Sequence, residues 1–67
     1  MVTFSEANQA RLAIKMKLSM YAWYNSSAVV SEKSGYSVVV GVKQLNNTVR
    51  KTIPPVVNGV SVKAELE

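Results

Sequence analysis

Residues 4–24, FSEANQARLAIKMKLSMYAWY, contain neither glycine nor proline and are rich in Ala, Leu, Met, Lys and Gln. That composition favours one uninterrupted helix. In a chain of 67 residues it leaves room for a small sheet and little else, so a single domain over residues 1–67 is expected. Ser5 is placed to cap the helix, and Glu6 lies in the first turn, where the helix dipole favours an anion. The span from Ser5 to Asn8 lacks the Glu or Gln of a capping box. At about 100° per residue, Ala7, Ala10, Ile14, Leu18 and Tyr21 gather on one face, with Phe4 and Ala22 at its margins. Leu12, Met16, Met20 and Trp23 form a second apolar stripe roughly opposite, and two narrow polar seams separate the stripes. One apolar face is enough to pack a helix on a sheet. The second predicts burial against a second copy, another protein, or the 46–57 loop of the same chain.

After the helix the hydrophobic period changes to alternation. Asn25-Ser26-Ser27 is expected to end the helix, because Asn tolerates the left-handed conformation of a C-terminal cap. Residues 28–32 read as a short strand, Lys33-Ser34-Gly35 as a hairpin loop, and residues 36–45, YSVVVGVKQL, as a strong strand. Tyr36, Val38, Val40 and Val42 fall on one face of it, and Ser37, Val39, Gly41, Lys43 and Leu45 on the other. Gly41 marks a bulge or a close approach by another group. The segment TVRKTI allows one helical turn, capped by Thr48 and stopped by Pro54-Pro55. Asn58-Gly59 signals a turn. Residues 60–66 alternate, with Val60, Val62, Ala64 and Leu66 expected to point inward. The expected fold is α+β: one long N-terminal helix on a three-stranded, mostly antiparallel sheet, in the order helix, strand, strand, loop, strand. The last strand can lie beside the second or cross over to join the first. Leu66-Glu67 could be a cloning remnant, so no function is placed there.

The strand with Val38, Val40, Val42, Lys43 and Leu45, followed by Ile53, Pro54, Val57, Gly59, Val60 and Val62, resembles a family of small bacterial α+β domains. Those domains carry a V-x-V-x-V-K-x-L strand and an I-P-x-x-V-x-G-V-x-V ending. They occur alone as uncharacterised proteins or ahead of trypsin-like and other hydrolase domains. The resemblance spans residues 10–65 and implies the same helix-on-sheet fold. It implies no catalytic site. The first strand of such domains usually holds several glycines, whereas SSAVVSEKSG stands here.

Composition narrows the function classes. The chain has no Cys, His or Asp, and its side-chain carboxylates are Glu6, Glu32, Glu65 and Glu67. Disulfides are excluded, a metal cage is not expected, and most acid–base and nucleophilic schemes lack their usual groups. No catalytic residue, metal ligand or cofactor is therefore assigned, and the chain reads as a non-enzyme. The absence of Cys, of a basic leader and of any long apolar window fits a cytosolic protein without a membrane span. The net charge is +4 and its cations are dispersed, Arg50-Lys51 being the only adjacent pair. The first expectation is a small interaction module, a homodimer or a binder of another protein, that buries Leu12, Met16, Met20 and Trp23. The alternative is a weak, sequence-tolerant nucleic-acid binder using Lys15, Arg50 and Lys51.

Overall fold

The computed structural model describes residues 2–33 and 35–67. Its elements are α1 (Phe4–Leu18), β1 (Tyr24–Glu32), β2 (Gly35–Val42), α2 (Asn47–Thr52), β3 (Val56–Val57) and β4 (Val60–Leu66). The middle of the expected hairpin loop, Ser34, lies outside the described residues.

The α1 helix begins with a full capping box on Thr3 rather than at Ser5. The Glu6 N–H donates to Thr3 Oγ1 at 3.2 Å, and the Thr3 N–H donates to Glu6 Oε1 at 3.1 Å. The helix stops at Leu18, six residues short of the sequence expectation that it runs to Tyr24. Two tight turns follow, with the Tyr21 N–H donating to the Leu18 carbonyl at 3.0 Å and the Tyr24 N–H to the Tyr21 carbonyl at 3.2 Å. The α1 helix ends where the chain turns back to lay β1 alongside it, and does not continue to Tyr24. Instead the aromatic residues, which suit strands well, lead into β1, and Asn25, Ser26 and Ser27 are strand residues rather than a helix cap.

The sheet has four strands in the order β1-β2-β4-β3 and is mixed. This corrects the three-stranded, mostly antiparallel expectation. The strands β1 and β2 form an antiparallel hairpin, with a bulge between Tyr24 and Ser26. The β2–β4 pair is parallel, from Val38 opposite Val62 to Val42 opposite Leu66. A parallel neighbour requires the chain to return to its starting end, and the segment containing α2 makes that return. Asn46, not Thr48, caps α2, its Oδ1 accepting from the Val49 N–H at 2.9 Å. The extra strand, β3, is two residues long and pairs antiparallel with β4 across Asn58-Gly59. Both turn residues have positive φ, 51° and 78°, as a type I′ hairpin demands.

One core fills one side of the sheet. Ala7, Ala10, Ile14 and Leu18 of α1, Val38, Val40 and Val42 of β2, Val60 and Val62 of β4, and Val49 and Ile53 around α2 are all buried together. Two alanines on the inner face of α1 let its backbone approach the sheet closely. Tyr21 falls outside this face because the helix ends before reaching it, and it stays exposed. Leu66, expected inside, is 63% exposed at the end of β4. Leu45, expected on the outer face of the second strand, packs partly against the core, because β2 ends at Val42 and its alternation no longer applies. The opposite side of the sheet presents Ser26, Ala28 and Val30 beside Ser37, Val39 and Gly41, with Lys63 and Glu65 next to these. Both helices contribute their buried residues to the core side, so neither covers this face.

Candidate interaction surfaces

The outer face of α1 keeps its apolar residues in solvent. Leu12 is 44% exposed, Met16 80% and Met20 79%. The 46–57 segment packs Val49 and Ile53 into the same core as the inner face of α1 and leaves Met16 and Met20 bare. Of the four residues in the expected stripe, Leu12 and Met16 stand on the helix, and Met20 follows in the turn. Trp23 departs from it. With α1 ended at Leu18, Trp23 is half-buried against the core and stacked on Tyr21, the ring centroids 5.0 Å apart and the planes inclined at 18°.

Three of the eight basic residues line two separate grooves. Lys15 and Arg11 from α1 line an open groove of about 220 Å³ beside β1, together with Tyr24, Asn25, Ser26 and Ser27. Arg50 lines another, of about 240 Å³, with Leu45, Ile53, Pro55, Val62 and Ala64 beside β4. Lys51 neighbours Arg50 on α2 and is exposed. Since β1 and β3 are the opposite edges of the sheet, Lys15 and the Arg50-Lys51 pair do not share a groove.

Three of the four side-chain carboxylates are held in hydrogen bonds. Glu6 closes the capping box, and the Thr3 backbone N–H, then the Thr3 hydroxyl, hold its pKa below the ordinary value. Glu32 Oε1 accepts from Ser37 Oγ at 2.5 Å and from Lys63 Nζ at 2.9 Å. The serine hydrogen bond, then the lysine, keep Glu32 ionised to lower pH than usual. Glu67 Oε1 accepts from Asn25 Nδ2 at 2.6 Å and from Ser26 Oγ at 3.0 Å. To reach them the Glu67 side chain passes directly over Gly41, where a Cβ would run into its carboxylate. Gly41 is therefore the site of a close approach, and the bulge sits across from it in β1. No group of three or more potential metal-ligating side chains gathers among the described residues. No helix among them is long and apolar enough to cross a membrane.

The groove along β1 is not legible in the sequence: Arg11 and Lys15 stand one helical turn apart, but Tyr24 reads as helix and Asn25-Ser26-Ser27 as its end rather than as the start of a strand. No family, curated protein or solved structure matches the chain.

Proposed function

We propose that the chain is a non-catalytic interaction module that self-associates through the outer face of α1 and the turn after it, with Leu12, Met16 and Met20 as the buried centre and Trp23 stiffening the end of the patch. The observation that carries this reading is the exposure of Leu12, Met16 and Met20 on the one long helix, whose inner face already fills the core. Large apolar side chains clustered in solvent mark association sites, and methionine and aromatic residues are enriched in interface cores. A second copy is the favoured occupant because a domain of fewer than roughly 70–80 residues usually relies on a disulfide, a metal or a partner, and this one has no Cys. The absence of Cys, His and Asp supports a binding role over a catalytic one.

Light scattering on a size-exclusion column tests the reading. The mass should climb from the 7.3 kDa monomer towards twice that value as concentration rises. Met16→Ser with Met20→Ser should hold it at the monomer. A native chain that stays monomeric at every concentration, or a double variant that associates as the native chain does, overturns it.

A further inference from the structure

We infer that the free edge of β1 is a docking strand for an extended acidic segment of another protein, which adds to the sheet as a fifth strand and places carboxylates against Arg11 and Lys15. This does not rest on the self-association reading, because it uses a different surface. Two observations carry it. First, β1 is an edge strand of nine residues, Tyr24–Glu32, whose outer side has no strand partner among the described residues. Sheet edges are usually blunted by proline, lysine or shortness. The opposite edge follows that rule, with a two-residue β3 directly behind Pro54-Pro55. Residues 24–32 contain neither Pro nor Lys, and their one irregularity is the bulge near Asn25.

Second, the groove beside this edge has one sign of charge. It is lined by Arg11, Lys15, Tyr24, Asn25, Ser26 and Ser27, with no carboxylate among them. Among the described residues neither Arg11 nor Lys15 is in an ion pair. The Arg11 Nε donates to Asn8 Oδ1 at 3.1 Å, which steadies the side chain. The Glu67 carboxylate occupies Asn25 and Ser26 on the open side of the sheet, over Gly41, so Arg11 and Lys15 are the groups left for an incoming carboxylate. Charge also argues against a second copy here. The chain carries +4, and pairing two β1 edges would bring the Arg11 and Lys15 of both copies together.

Register gives the pattern such a segment should have. Ser27 and Val29 share the helix side of β1 with their partners Val40 and Val38, while Ser26, Ala28 and Val30 lie on the open side. An added strand would alternate in the same way. Every second side chain would lie beside Arg11 and Lys15 and should be Glu or Asp. Those between would lie beside Ala28 and Val30 and should be β-branched. Main-chain hydrogen bonds would give affinity and the charges would give direction and selectivity.

The test uses the full chain and fluorescein-labelled octapeptides of alternating Glu and Val, with a Lys/Val octapeptide and a single-stranded oligonucleotide as comparisons. Fluorescence anisotropy should show the Glu/Val peptide binding at least about tenfold tighter than the Lys/Val peptide. Arg11→Gln with Lys15→Gln, two surface changes whose folding circular dichroism checks, should weaken it about tenfold or more. Hydrogen exchange on the native chain gives a readout independent of any variant: amides in Ser26–Val30 should gain protection when the peptide is added. Equal binding of the Lys/Val peptide, tighter binding of the oligonucleotide, or no new protection in β1 overturns the inference.

Discussion

Met16 and Ile14 sit two residues apart on the same helix and live in different solvents. Ile14 is 2% exposed in the core, and Met16 is 80% exposed on the far side. The same contrast runs through the sheet. Val40 is fully buried under α1, while its neighbour Val39 faces the side that no helix covers. The covered side is where this chain obtains its fold. The outer face of α1 adds little burial to the folded monomer, which leaves Met16 available for the association proposed above. Covered and uncovered residues should therefore respond to different measurements, stability for one and assembly for the other.

The largest expected effect is on stability at Ile14. Ile14→Ala should cost about 2–5 kcal/mol in urea unfolding, while Met16→Ala, measured at concentrations too low for association, should stay within about 0.5 kcal/mol. Equal costs would break the comparison at its centre. Next come the two valines. Val40→Ala removes buried methyl groups and should cost about 2 kcal/mol, whereas Val39→Ala should cost under about 1 kcal/mol. Thr3→Ala acts on the start of α1, upstream of both faces. Losing its capping box should cost about 1 kcal/mol, and amide exchange should quicken in the first turn while the sheet is unaffected.

The smallest effect belongs to the uncovered side of the sheet, where Ser37 and Lys63 hold Glu32. Its pKa in the folded chain lies below the ordinary 4.5. The stabilisation is therefore fully present above pH 4.5 and is lost as pH falls through the lower folded value. Acid titration of stability should show this loss, and Glu32→Gln should reduce it, leaving the part that Glu6 contributes. A loss that appears above pH 5 would need another group.

The inner face of α1 and the Val38–Val40–Val42 face of β2 were legible because burial there follows simple periods. The end of α1 was not. Met20, Tyr21, Trp23 and Tyr24 suit a helix or a strand, and no Gly or Pro marks the turn between Leu18 and Tyr24 where the chain folds back. Parallel pairing of β4 with β2 was also hidden, because it depends on α2 packing Val49 and Ile53 into the core and not on any local signal in residues 60–66. Gly41 announced a close approach, but its partner, Glu67, comes from the far end of the chain. For the candidate site, Leu12, Met16 and Met20 could be read from spacing alone. Trp23 could not, since its place in the stripe assumed a helix that stops at Leu18. The β1 groove needed the correct strand boundary before Arg11 and Lys15 acquired a neighbour.

The central claim is that the inner face of α1 folds the chain and the outer face assembles it. Thermal unfolding followed over a wide range of protein concentration tests this most directly. Association of folded copies makes the midpoint depend on concentration. The account predicts a midpoint that rises with concentration for the native chain, and a Met16→Ser, Met20→Ser variant whose midpoint is flat and equals the native value at the dilute limit. A native midpoint that does not move with concentration, or a variant already destabilised at the dilute limit, would contradict it.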